Sequence, residues 1–185
     1  MAICALNRNL LKTTSCGYQL NEIVDLYLIN FDDISGYTVD EGTGTTEGCD
    51  EITEIGFKSG ATAYQVTPAK NTGSFEDTLV VNDNDGSKYR NASISFTVSG
   101  KYSACMKGAL DALSLGRYVV VVKTASGDYI VFGRLSPLEA TTATLAGSSD
   151  SNGMQVVLAG NIAETPMPLS EEGITKLLAK VHVDE

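Results

Sequence analysis

At 185 residues the chain suits a single domain and is long enough to bury a hydrophobic core. An apolar fraction of 43%, 18 glycines and many Ser and Thr residues with moderate charge lean towards all-β structure with many turns. The formal net charge of -10 argues against a protein that grips phosphate backbones, and four cysteines in no C-x-x-C pair, with one histidine, argue against a Cys/His zinc site.

Residues 1–21 show no sustained periodicity and read as an N-terminal arm or lead-in. No basic segment followed by an apolar one opens the chain, and no run reaches membrane-spanning length, so a chain made and kept in a cytoplasm is expected. In EIVDLYLINFDD, Val24, Leu26 and Leu28 alternate with Asp25, Tyr27 and Ile29, which predicts a half-buried strand. The Gly- and Thr-rich SGYTVDEGTGTTEGC, 35–49, predicts a long loop or flexible hairpin, exposed rather than packed, in a loop region of about 35–60. A strand is expected at 61–67, with Pro68 placing its end at an edge or an exit. The cleanest alternation follows, with Ala92, Ile94, Phe96 and Val98 on one face and Ser93, Ser95 and Thr97 on the other. The group 82–86, NDNDG, is a turn or loop before that strand.

At 101–113 the period changes to that of a helix. Tyr102, Cys105, Ala109, Ala112 and Leu113 form one stripe, which predicts a buried Cys105 thiol, and Lys107 and Asp111 face away. Gly116 is placed to end the helix. In RYVVVVKTASGDYIVFGR, 117–134, two β-rich runs flank Ser126-Gly127 and predict a hairpin. Because Val119, Val120, Val121 and Val122 are consecutive, both faces of this hairpin need cover. The preceding helix is expected over one face and the facing sheet of a sandwich over the other. Strands follow at about 139–145 and in MQVVLAGN, separated by a loop at 147–153.

Pro166 and Pro168 precede a last helix, with Ser170 as its N-cap and Glu171 and Glu172 at its positive end. Ile174, Leu177, Leu178 and Val181 then recur at helical spacing. Each would forgo about 1.5–3 kcal/mol if left exposed, so the helix must dock on its own sandwich or on a neighbour. The expected organisation is an arm at 1–21, a β-sandwich domain at 22–169 and an amphipathic helix at 170–185.

Motifs of chemistry are weak. Aligned on Gly86, a calcium loop needs an acid at 81 and a glutamate at 92, where the chain has Val81 and Ala92. No G-x-S-x-G occurs, and His182 lies near an end expected to fray. The acid pairs Asp32-Asp33, Glu76-Asp77 and Glu171-Glu172 read as loop and helix-start decoration. Gly42-Thr43-Gly44 lacks the lysine and context of a phosphate loop, and no secretion signal accompanies the glycosylation triplet Asn91-Ala92-Ser93. Spacing alone gives no support to a Cys4–Cys16 bridge. No catalytic, cofactor-binding or metal-binding residue is assigned, and the chain reads as non-enzymatic. Its acidic balance suits either plain solubility or a channel wall to which passing DNA does not adhere.

Four stretches in order carry a resemblance: ICALNRNLLKTTSCGYQLNEIVDLYLINFDD, GSFEDTLVVNDNDGSKY with its alternating strand, VVVVKTASGDYIVFGR, and LAGSSDSNGMQVVLAGNIAETPMPL. Together they resemble the β-sandwich of tail-tube-like ring proteins, and more specifically small virion proteins of Bacteroidetes-infecting, crAss-like tailed phages. The resemblance spans most of residues 1–169 and leaves out the C-terminal helix. It implies a mainly β, antiparallel sandwich or barrel with one short packed helix. It further implies a homo-oligomeric ring or tube in the tail or head–tail junction of a virion, assembled in the host cytoplasm. Partners would be further copies of the chain, neighbouring tail, portal or capsid proteins, and DNA passing without specific binding. No membrane, cofactor or catalytic residue is implied. A capsid-associated or decoration protein of the same virion is the first alternative. A carbohydrate-binding or adhesin module is the second, and the lack of Trp counts against it.

Overall fold

The computed structural model describes residues 22–42, 49–83, 86–99, 103–147 and 152–183, with only the backbone of Asn152. Its hub is the valine strand β7 (Arg117–Thr124). Along one side runs β1 (Ile23–Asn30), antiparallel, with Leu28 opposite Val120. Along the other side, β8 (Tyr129–Phe132) pairs with residues 120–123, and the start of β9 (Leu138–Gly147) pairs with residues 117–118. The sheet therefore divides at β7. One limb adds β4 (Tyr64–Val66) to β1 and β11 (Met167–Pro168) to β8. The other continues from β9 through β10 (Asn152–Ile162) and β6 (Lys88–Val98) to β5 (Ser74–Val81).

The two limbs fold over one another. Leu26, Leu28, Val120 and Val122 share a core with Ile94, Phe96, Val156 and Leu158, and Phe75 of β5 meets Phe132 of β8 at a ring separation of 5.6 Å. The result is a mainly β, sandwich-like architecture of antiparallel pairs with two helices, the class that the alternation predicts. The face of β6 that carries Ala92, Ile94 and Phe96 is buried, as its period-two pattern requires. The strand expected at 61–67 is shorter, covering Tyr64–Val66.

A second core lies on the opposite face of β1 and β7. Tyr27, Ile29, Val119, Val121 and Val131 pack there against Ile52, Ile55, Leu169 and Leu177. Its cover is β2 (Ile34–Asp40) and β3 (Glu51–Phe57), an antiparallel pair, together with α2 (Glu171–Leu178). Two expectations change here. The region read as an exposed loop or flexible hairpin is a hairpin, but a packed one, through Ile52 and Ile55, and β1 is buried on both faces. A bulge at Val24, between Ile23 and Asp25, lets Ile23 turn to the same core as Leu26 and leaves Val24 40% exposed. All four valines are fully buried, with Val120 and Val122 in the inter-limb core and Val119 and Val121 under the hairpin and α2.

Helix α1 (Ala104–Leu115) starts on a Ser103 cap, whose hydroxyl accepts from Met106 N at 3.2 Å. Its buried stripe is Leu110 and Leu113, with Met106 half-buried, and Cys105 is exposed. The expected stripe was one residue out of phase because small side chains matched the period as well as the large ones did. Leu110 buries more apolar area than Ala109, so it turns inward. Gly116 ends the helix, but with φ of -87° rather than a left-handed turn. Its role is room, since a Cβ there would lie 2.2 Å from the Tyr118 hydroxyl, which donates to Ala112 O at 2.7 Å.

Helix α2 begins as predicted, with the Ser170 hydroxyl accepting from Gly173 N. It docks on its own chain. Gly173 sits so close to β3 that a Cβ would be 2.8 Å from Ile52 O, and Ser170 N donates to that same oxygen at 2.9 Å. Lys176 pairs with Glu54 at 2.6 Å. Beyond the helix, Ala63 N donates to Lys180 O and His182 N donates to Ala63 O, so the end expected to fray is tied to the fold as far as His182.

Candidate assembly surface

Among the described residues, no group of three or more His, Cys, Asp or Glu is placed to hold a metal, and no helix is long and apolar enough to cross a membrane. The acid pairs are dispersed. Asp32 and Asp33 lie in a short 3-10 turn, where Asp32 meets Arg117 at 2.9 Å and Asp33 accepts from Asn30. Glu76 and Asp77 point to opposite faces of β5, and Glu171 and Glu172 occupy the first turn of α2. The 82–86 group joins β5 to β6, with Gly86 N donating to Asn82 O at 2.8 Å, and its residues 84 and 85 lie outside the described residues. So do Cys4, Cys16 and Thr43-Gly44, while Cys49 and Cys105 are exposed and in no disulfide among the described residues. Asn91 of the glycosylation triplet sits within the sheet and donates to Asn161.

Among the described residues, the limb made of β5, β6, β10 and β9 ends in two unpaired edges. β5 pairs with β6 alone. Beyond its contact with β7, residues 141–147 of β9 pair with β10 alone. That stretch, Thr-Thr-Ala-Thr-Leu-Ala-Gly, holds no charge and no proline, its first five residues are exposed, and Leu145 is 60% exposed. Charges and prolines are usual means of keeping a strand edge from pairing with another chain, and this stretch has neither, although α1 packs against β9. At the other border, β5 exposes Leu79 and Val81 where the hairpin outruns the core. Asp77 lies at that margin, held by Arg90 at 2.6 Å through one oxygen while its Oδ1 is buried without a partner.

The outward face of the same limb is polar and carries two acids, Glu76 of β5 and Glu139 of β9, the latter opposite Ala159. Register places Asn91, Ser93, Ser95 and Thr97 of β6 beside Gln155 and Asn161 of β10, Thr142 and Thr144 of β9, and Ser74, Glu76 and Thr78 of β5. Lys88 and Arg90 project to the other side, so no described lysine or arginine falls on the face. Sequence reasoning found the alternation of β6 but missed the edges. An edge is a property of which strands pair, and residues 141–147 would read the same inside a sheet. Comparison with family models, with curated proteins and with solved structures finds no match to this chain.

Proposed function

We propose that the protein is a structural component of a tailed-phage virion that assembles as a homo-oligomeric ring or tube around a DNA channel, in the tail or at the head–tail junction. The observation that supports this reading is the pair of free edges, β5 and the 141–147 part of β9, on opposite borders of one sheet limb. Two different edges that join head to tail make a heterologous contact, which closes into a ring or runs on as a filament. The outward face, polar and without a cation, suits a lumen wall, since neutralised phosphates are what make a surface hold DNA. α2 is not part of the argument, because it covers the chain's own second core.

Native mass spectrometry and negative-stain microscopy of the purified protein test the reading. The expected result is a closed ring of identical copies, converted to folded monomers by Thr142→Lys with Leu145→Lys on the β9 edge. A particle that stays monomeric at high concentration, even beside its virion neighbours, would overturn it.

A further inference from the structure

Beside the β7–β8 turn lies a groove of ≈ 520 Å³ whose lining combines apolar and acidic residues. Tyr129, Leu169 and Ile174 contribute the apolar part, Glu51, Asp128 and Glu171 contribute the acids, and no lysine or arginine among the described residues lines it. An occupant that suits both features carries apolar side chains next to positive charge.

The chain contains one such segment. In residues 1–21 the only charged side chains are Arg8 and Lys12, set among Ile3, Leu6, Leu10 and Leu11, in a protein of net charge -10. The segment also enters the fold at the right place. Glu22 O accepts from Ala125 N at 2.8 Å, in the turn whose Gly127 and Asp128 line the groove. From β1 across β7 to β8 is two strand spacings, about 10 Å. A connection of only six residues can extend roughly 20 Å, so Leu10-Leu11-Lys12 is within reach with chain to spare. A tether this short also holds the segment at millimolar effective concentration, an advantage over the same segment of any other copy.

We infer that residues 1–21 of the same chain occupy this groove, with leucines on its apolar lining and Arg8 and Lys12 facing Glu51, Asp128 and Glu171. This docking is independent of the ring, since it concerns the face opposite the inter-limb core and needs no second copy.

The test uses the full chain with a photoreactive benzoylphenylalanine replacing Pro166, a groove residue, in an equal mixture of ¹⁴N- and ¹⁵N-labelled protein. After irradiation and digestion, mass spectrometry should find Pro166-site cross-links to peptides from 1–21, joined within one isotope label. Raising salt from 50 to 500 mM should reduce their yield several-fold, because exposed charge pairs are screened. The double variant Arg8→Glu, Lys12→Glu, which alters nothing in the described fold, should cut the yield at least fivefold. Adding Glu51→Lys and Glu171→Lys should restore it. Cross-links to other segments, cross-links only between labels, or a yield indifferent to both salt and charge reversal would each overturn the inference. Ring formation in the same samples is read separately by native mass spectrometry, so either result can fail without the other.

Discussion

Tyr37 and Tyr118 each carry a phenol into the interior, but only one of the two hydroxyls is used. Tyr118 donates to Ala112 O and so ties the end of α1 to β7, whereas the Tyr37 hydroxyl is buried without a partner, under the Arg134 guanidinium that Glu164 holds. A buried hydroxyl with no hydrogen bond costs about 1–3 kcal/mol, and a satisfied one contributes about 1 kcal/mol net. Tyr118→Phe should therefore lower stability by about 1 kcal/mol in urea melts at pH 8, and Tyr37→Phe should leave it unchanged or raise it. Equal losses in both variants would show that Tyr37 has a partner. The same residues govern the alkaline limit. Burial is the main force that pushes the Tyr27, Tyr37 and Tyr118 phenols above their ordinary value, helped at Tyr27 by the field of Tyr129 and opposed at Tyr37 by Arg134. A folded-state pKa raised above the unfolded one gives stability that is complete below about pH 10 and lost as pH climbs through the folded value. The urea midpoint should hold from pH 7 to 9 and fall above 10, and it should fall less in Tyr37→Phe. An unaltered fall in that variant would mean that its phenol ionises freely in the folded state.

α2 and the β2–β3 hairpin act as one cover, and this is where sequence and structure part furthest. Leu177 is 1% exposed against Ile52 and Val121's face of the sheet, while Leu178 beside it is 45% exposed. Leu177→Ala should cost about 2–5 kcal/mol, the range for emptying a packed leucine site. Leu178→Ala should stay within about 0.5 kcal/mol. Thermal and urea unfolding of the two variants measures the contrast, and similar losses would place both residues in the core. The cap, the acids of the first turn and the apolar spacing of this helix were all legible in the sequence, because each depends on near neighbours. The surface it docks on was not. Ile52 and Ile55 sit three apart in a strand and share a core only through the irregular register of β2 and β3, so no alternation announced them. The valine run did announce that two covers were needed, and α1 with the opposite limb supplies one of them. The other is not a second sheet of the sandwich but the hairpin and α2, drawn from a segment read as an exposed loop or flexible hairpin and from a helix expected to dock either on its own sandwich or on a neighbour.

At the scale of the whole molecule, the second face of β7 is closed by the chain itself, so the four valines leave no apolar wall for a neighbour to cover. In the proposed ring, assembly would then run through the strand edges, and that would set which face lines the channel. If β5 of one copy pairs with β9 of the next, the outward face of the limb becomes continuous from copy to copy, because strand pairing carries alternation across the joint. The core side of the limb is filled, so in such a ring the outward face, with its Ser, Thr, Asn and Gln side chains and Glu76 and Glu139, would meet the lumen. Charge placed on that face should act on DNA in a way that charge elsewhere does not. Gln155→Lys with Thr78→Lys puts two cations per copy on exposed positions of the outward face. Ala109→Lys with Ala112→Lys adds the same charge on the exposed side of α1. Both pairs change the net charge per copy from -10 to -8, so bulk charge cannot separate them. In gel-shift and filter-binding assays with a linear duplex longer than the ring is deep, wild-type rings should not retain DNA at 100 mM salt. The Gln155/Thr78 variant should retain it, with a steep loss as salt rises because each added lysine displaces counterions from the phosphates. The Ala109/Ala112 variant should resemble the wild type. Equal retention by both variants would mean that DNA meets the outside of the particle, and the lumen would have to be sought on another face.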